Sequence, residues 1–360
     1  MTQALVYLLA LALALSLLIT GIRSVRTYRQ NRRRRIAAPV RALLLELLCA
    51  AEDEQSALLD RITRVDKRTW KALEPTVASM LGKVSGRART TLVLLYERRG
   101  SPADAVARLR SRSAVRRGRA AQVLGQLRHR PAAPSLCRLL DDPDREVRLT
   151  AARALGRIGD PVAVPRLLAC LHGARTVPPA VVTAALAALG PDAWPGAAAG
   201  LRDPAPLARA VAVEVLGVTG AITQTPGIVR ALREDPETEV RIRAARALGR
   251  LGMPDGLEPL LAAIRPGEPY ALRIVAAGAL GSLGATAATD PLAEVLGDAD
   301  PHVAGTAARA LLRLGPAGAA ALREAADGRS GVRAAAQARA VLAEAAVGGT
   351  RQDVLVEVAL

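Results

Sequence analysis

Arginine is the residue whose placement could do chemistry in this chain. The 360 residues carry 50 Lys and Arg against 33 Asp and Glu, a formal net charge of +17. Arg153 with Arg157, Arg246 with Arg250, and Arg309 with Arg313 stand four residues apart, so each pair shares one face of a helix. A guanidinium is a planar fork of donors that matches a carboxylate. These six are therefore the candidate contacts for an acidic partner, although solubility alone also accounts for exposed arginines. A second set, Arg117, Arg148, Arg209, Arg241, Arg273 and Arg333, recurs at one place in successive repeats, and Asp142, Asp203 and Asp235 lie six residues before three of them. This set forms either a basic binding strip or an Asp–Arg ladder joining neighbouring repeats, and the ladder is the favoured reading. Arg108, Arg110, Arg112, Arg116, Arg117 and Arg119 make a dense basic patch suited to anionic lipid, nucleic acid or plain solvation.

Other chemistry has little material. The three histidines are His129, His172 and His302, and the three cysteines are Cys49, Cys137 and Cys170. Cys170 and His172 are two apart, a spacing that does not share a helix face. No CxxC, HExxH, GxSxG, P-loop or GxGxxG arrangement occurs. The sequence thus names no catalytic residue, metal ligand, cofactor site or small-molecule substrate, and a non-enzymatic chain is expected. The odd, scattered cysteines fit a reducing compartment. Trp70 and Trp194 are isolated and suit packing more than base stacking.

The elements that position these arginines are helices. Aromatics are 2% of the chain and Phe is absent, which favours small-residue helix packing. Residues 142–159, DPDREVRLTAARALGRIG, and 235–252, DPETEVRIRAARALGRLG, agree at most positions. Their Leu-Gly pair recurs as Leu124-Gly125, Leu155-Gly156, Leu189-Gly190, Leu216-Gly217, Leu248-Gly249 and Leu280-Gly281, then as Leu311-Leu312. A degenerate copy precedes these and a closing copy follows. Asp142-Pro143, Asp203-Pro204, Asp235-Pro236 and Asp300-Pro301 each suggest a capped helix start. Val147, Ala151, Ala154, Leu155 and Ile158 then fill one helical face. Gly159-Asp160-Pro161 ends that helix, and Leu167, Leu168 and Leu171 supply the stripe of a second. Each unit is a helical hairpin that cannot cover its own apolar face, so the units must stack as an all-α solenoid.

The phrase D-P-x-x-x-V-R-x-x-A-A-x-A-L-G-x-x-G, as it stands at 142–159 and 235–252, resembles the HEAT-repeat family, in the short bacterial form similar to phycobilisome-lyase HEAT-like repeats. The resemblance covers roughly residues 86–345 and also implies the Asp–Arg ladder. By similarity, the helices carrying Arg153, Arg246 and Arg309 line a concave surface. Copies at 177–190 and 301–315 depart from the phrase by lacking the Arg after Val.

The amino-terminal segment carries its own expectation. Ala4 to Ile22 is uncharged and rich in Leu, Ile and Val, and at about 1.5 Å per residue it matches a bilayer core of roughly 30 Å. Arg23, Arg26, Arg29, Arg32, Arg33, Arg34 and Arg35 follow, a membrane-surface cluster that would set the topology. The expected organisation is a transmembrane anchor at 1–22, an Arg-rich segment at 23–35, a helical cap or divergent repeats at 36–85, the solenoid at 86–347 and a tail at 348–360. The tail, DVLVEVAL, alternates like a strand and suits a docking segment, although a frayed terminus is the favoured reading. The localisation that follows is a single-pass cell-membrane protein with its amino terminus outside and its body cytoplasmic. The function expected is an adaptor or scaffold for a protein partner at the membrane or envelope, with the anionic bilayer as a second partner. Alternatives are a bilin-lyase-like enzyme, suggested by the resemblance, and a nucleic-acid-binding basic solenoid, disfavoured because Glu146, Glu239 and Glu294 interleave with the arginines.

Overall fold

The computed structural model describes the backbone of residues 2–173, 175–328 and 331–358. Side chains at 1–15, 18–19, 22, 25–26, 29–30, 33–34, 52–53 and 347–360 lie outside that description. Among the described residues every regular element is helical and there is no strand. The chain divides into two compact units, residues 1–110 and 111–360.

The first unit holds α1 (Thr2–Cys49), α2 (Glu52–Thr63), α3 (Lys67–Leu81), α4 (Gly86–Arg98) and α5 (Ser101–Arg108). Its core gathers Leu44, Leu47, Ile62, Leu73, Leu81, Leu92, Leu95 and Tyr96, all buried. Asp66 caps α3 by accepting from the amides of Arg68 and Thr69. Arg99 closes α2: its Nη1 donates to the carbonyls of Ile62, Thr63 and Val65 at 3.1, 2.8 and 2.9 Å, which a helix end otherwise leaves unbonded. The same guanidinium lies 4.6 Å from the Trp70 ring centroid, and Trp70 meets Tyr96 edge-on at 5.6 Å. The isolated Trp70 is therefore a packing residue.

The second unit alternates long and short helices: α6 (Ala114–Leu127), α7 (Ala133–Arg138), α8 (Arg145–Ile158), α9 (Val164–Ala169), α10 (Pro179–Ala188), α11 (Trp194–Ala199), α12 (Pro206–Val218), α13 (Thr225–Glu234), α14 (Thr238–Leu251), α15 (Leu257–Ala263), α16 (Tyr270–Leu283), α17 (Thr289–Val295), α18 (Pro301–Arg313), α19 (Pro316–Ala326) and α20 (Val332–Val358). The long helices α6, α8, α10, α12, α14, α16 and α18 pack each on the next, and the short helices lie on one side of them. That arrangement is an α-solenoid, as the hairpin pattern required.

The Leu-Gly pair explains the stacking. Leu124, Leu155, Leu216, Leu248, Leu280 and Leu311 are buried. The glycine beside the leucine meets an alanine of the following long helix: Gly125 meets Ala154, Gly156 meets Ala185, Gly217 meets Ala247, Gly249 meets Ala279, and Gly281 meets Ala310. A Cβ on Gly249 would stand 2.7 Å from the Ala279 Cβ, closer than carbon atoms can approach. The A-L-G phrase thus encodes contact between the backbones of neighbouring long helices.

Three expectations are corrected. Among the described residues no helix is long and apolar enough to cross a membrane, so the single-pass anchor and the localisation built on it do not stand. Most of the apolar run 4–22 lies outside the described side chains, while the described part of α1 soon becomes charged at Arg23, Arg32, Arg35 and Arg41. The tail does not form a strand, since the backbone of α20 stays helical to Val358. Finally, α8, α12 and α14 do not start at their Asp-Pro pairs. Asp142, Asp203 and Asp235 lie two residues ahead of the caps and accept from the amides of Asp144, Ala205 and Glu237. Only Asp300, before Pro301, is itself the cap, accepting from His302 and Val303. Asp298 occupies the earlier position there, accepting from the Asp300 amide at 2.9 Å.

Candidate interaction surface

Which arginines are available for recognition depends on which are consumed within the fold. Arg117, near the start of α6, donates from Nε and Nη2 to the two carboxylate oxygens of Asp142, each at 2.7 Å. Its Nη1 holds the carbonyls of Ser111 and Arg112 at 2.8 and 3.1 Å. Arg209 repeats the arrangement, holding Asp235 at 2.7 and 2.9 Å and the carbonyls of Asp203 and Pro204. Arg241 reaches Glu268 at 2.7 Å, and Arg273 bonds Asp298. Each carboxylate lies in the connection leading to the next long helix, so the pairs join neighbouring hairpins as the ladder reading expected.

These pairs are shielded: side-chain exposure is 12% and 3% for Arg117 and Asp142, and 12% and 5% for Arg209 and Asp235. Burial alone would raise the Asp142 carboxyl, but the Arg117 fork and the Asp144 amide outweigh it and hold the carboxyl below its ordinary value. Asp235 is likewise pushed up by burial, and Arg209 with the Glu237 amide brings it below that value. Such bidentate, charge-assisted bonds fix geometry as well as adding attraction.

Two members of the arginine set do not fit the ladder. Arg148 anchors itself as the others do, its Nη1 donating to the carbonyls of Asp142 and Pro143 at 2.8 and 3.2 Å. Its Nε is buried with no acceptor, because the chain 25 residues on offers Gly173 where Arg117 finds Asp142. Arg333 is exposed at the start of α20. The absent arginine in the α10 copy is Val182, which is buried, and the Asp203 carboxylate correspondingly bonds no arginine side chain among the described residues.

The six candidate partner contacts lie elsewhere. Arg153 and Arg157 on α8, Arg246 and Arg250 on α14, and Arg309 and Arg313 on α18 are all exposed. None has a carboxylate partner among the described residues; the contact made by Arg313 is to the Gly278 carbonyl at 3.3 Å. They occupy equivalent positions, two before and two after the Leu-Gly leucine, yet do not form one continuous strip. The same rows hold Gln122 and Gln126 on α6, Ala187 and Pro191 at α10, Glu214 and Val218 on α12, and Gly278 and Ser282 on α16. Of the earlier basic patch, Arg117 is consumed by the ladder and Arg108 lies 3.6 Å from both Glu74 and Asp104. Of the membrane-surface cluster, Arg23, Arg32 and Arg35 are exposed, whereas Arg26, Arg29, Arg33 and Arg34 lie outside the described side chains.

The two buried thiols, Cys137 and Cys170, offer little nucleophilic character. Burial pushes Cys170 up to about 11, helped by Asp141, and burial also raises Cys137, so both stay protonated at neutral pH. No group of three or more His, Cys, Asp or Glu among the described residues is arranged to hold a metal.

Sequence reasoning missed the carboxylates Glu268 and Asp298, because neither stands in an Asp-Pro pair. Their signal was distance: they follow their arginines by 27 and 25 residues, as Asp142 follows Arg117 by 25.

Comparison with known proteins agrees with this construction. The family described as HEAT repeats matches residues 102–190, 195–268 and 257–341, more than half of the chain. Residues 191–194, between the first two matches, follow directly on Gly190, where the Gly–Ala stacking skips one joint before resuming at Gly217. Among solved structures, the complex of CpcE and CpcF of phycocyanin lyase from Nostoc sp. PCC7120 is 29% identical, with 62% of this chain and 92% of that chain covered at a TM-score of 0.31. Kap121p is 14% identical, with 84% of this chain and 41% of that chain covered at 0.47. The YibA protein of Escherichia coli is 19% identical, with 74% and 98% covered at 0.37. This chain therefore spans less than half of Kap121p, and scores this low do not establish a common overall shape. No curated protein matches the chain significantly. With its phrase, its stacked hairpins and the family match in agreement, the chain belongs to the HEAT-repeat family.

Proposed function

We propose that this chain is a non-enzymatic scaffold that binds a protein partner on the exposed face of its long helices. The observation that carries the reading is the division of labour among arginines. Those at the ladder position, Arg333 apart, are bonded to the chain's own carboxylates or carbonyls. Those at the Arg153, Arg157, Arg246, Arg250, Arg309 and Arg313 positions stand exposed with no internal carboxylate. A solenoid of rigidly packed helices presents such side chains at fixed spacing, and that pre-organisation lowers the entropy cost of binding.

Affinity capture of the full chain with nuclease treatment, followed by mass spectrometry, tests this reading. One defined protein should co-purify in near-equal amount with the native chain and be lost when all six arginines are replaced by glutamate. Recovery of nuclease-sensitive material alone, or equal capture by both chains, would contradict it.

A further inference from the structure

The outer rows of α14, α16 and α18 form a furrow. Arg246 and Arg250 on α14 make one wall, and Arg309 with Arg313 on α18 makes the other. Between them α16 places Gly278, which has no side chain, and Ser282, whose hydroxyl folds back to donate to the Gly278 carbonyl at 3.1 Å. Arg313 leans across toward the same carbonyl from its own helix. A Cβ at Gly278 would meet Thr306 Cγ2 at 3.7 Å and Arg313 Nη2 at 4.0 Å, ordinary contacts, so the floor is low and the Arg313 guanidinium rests at its edge. One helical turn away, Ile242 and Ile274 are half-buried and add an apolar step. With the axes of packed helices about 8–10 Å apart, those of α14 and α18 stand roughly 16–20 Å apart, so a segment seated over α16 lies within reach of long arginine side chains from both.

The rest of this face lacks that form. Arg153 and Arg157 are flanked by Gln122 and Gln126 on one side and by Ala187 and Pro191 on the other, so they have no opposite wall. On α12 the row holds Glu214, which pairs with Arg243, and the exposed Val218.

We propose that this furrow binds an acidic segment of a partner protein, lying along α16 over Gly278 with carboxylates directed to both arginine walls. The proposal rests on the scaffold reading and adds to it the partner's chemistry and seat. Four guanidiniums without an internal carboxylate complement an acidic chain. Glu214 on α12 and Glu239 near the start of α14 both pair with Arg243 on the α12 side of the furrow, so a phosphate backbone running on across the helices would find that guanidinium already taken, whereas a short peptide ends before it.

The test is fluorescence anisotropy on the full chain, using a labelled glutamate- and leucine-rich peptide of about twelve residues, roughly 18 Å as a helix. A labelled single-stranded oligonucleotide of equal charge is the comparison. Either R246E with R250E, or R309E with R313E, is expected to weaken peptide binding at least about tenfold. R153E with R157E makes the same change in net charge and is expected to alter it less than about twofold. Gly278→Leu fills the floor without changing charge and should match the tenfold loss. Gly278→Ala, which fits the same helix, should keep most of the binding and shows that the position tolerates a side chain. Equal losses for all three arginine pairs, unchanged binding by Gly278→Leu, no peptide binding, or tighter binding of the oligonucleotide would overturn the furrow. Undiminished capture of the partner by the furrow variants would reject the furrow and leave the scaffold reading in place. Failure of the native chain to capture any protein would instead reject the scaffold reading.

Discussion

Within the second unit, the joints from α12 to α18 and the joints on either side of α10 are built from the same repeat but locked differently. Between α12 and α14, Gly217 sits on Ala247 and Arg209 grips Asp235; between α14 and α16, Gly249 sits on Ala279 and Arg241 grips Glu268. The α16–α18 joint repeats both contacts with Gly281 on Ala310 and Arg273 on Asp298. Around α10 the locks are lost in part. Gly156 still sits on Ala185, but Arg148 finds no carboxylate, Val182 replaces the next arginine, and Gly190 adopts a φ of 87° with open space beside it. The close helix approach and the ion pair are thus separable parts of the repeat. Where both are kept, the neighbouring helices hold exposed residues such as Arg246 and Arg309 at fixed spacing.

Breaking the lock where it is complete should have the largest effect. Asp235→Ala leaves the buried Arg209 unpaired and should cost about 3 kcal/mol, the low end for such a pair because Arg209 keeps some contact with water. The shift in urea midpoint measures it. Gly249→Val should cost roughly 1–3 kcal/mol by forcing α14 and α16 apart; Gly190→Ala meets no neighbour, and its cost, also roughly 1–3 kcal/mol, is backbone strain alone, because a φ of 87° with a ψ of −173° is kept almost entirely for glycine.

Arg148 and Arg209 give the sharpest contrast. Arg209→Met should destabilise the chain by stranding Asp235. Arg148→Met removes a buried Nε that has no acceptor but also the Nη1 bonds to the Asp142 and Pro143 carbonyls; the two effects oppose, and stability should stay within about 1 kcal/mol of the native chain. Destabilisation of equal size in both variants would show that Arg148 is paired as tightly as its counterparts.

Acid should act on the same contacts. Asp142 and Asp235 have folded values held below 3.8, so their contribution is full above the unfolded value and is lost as pH falls through the depressed folded value. Thermal midpoints should therefore fall steeply below about pH 4, and D142N with D235N should flatten that slope while lowering stability at pH 7. The smallest effect belongs to the exposed rows: Arg153→Gln should change stability by less than about 0.5 kcal/mol.

Much of the fold was legible because the repeat carries its mechanism in its residues. Val147, Ala151, Ala154 and Leu155 show the buried face, and the recurring Asp and Arg positions show the ladder, though not that Asp142 pairs with Arg117 of the preceding repeat while Arg148, six residues on, is left without a carboxylate. Helix starts were less legible. An Asp before Pro serves as a cap at Asp300, but at Asp142 it organises the turn two residues earlier, and the difference lies in register rather than in residue type. The alternating tail had a strand-like local pattern, yet the described backbone stays helical to Val358; the amino-terminal run was expected to be helical and is, but no helix among the described residues is long and apolar enough to cross a membrane. Within the candidate surface, the exposed arginines were legible from their spacing. The furrow was not, because it depends on Gly278 and Ser282, residues whose contribution is the side-chain volume they lack.

Hydrogen exchange on the full chain, free and loaded with its captured protein, tests most directly whether the exposed face of the long helices is the recognition surface. The account predicts new protection in residues 242–250, 274–282 and 305–313, with little change in α13, α15 and α17. Protection confined to those short helices, with the long-helix segments unaltered, would contradict it.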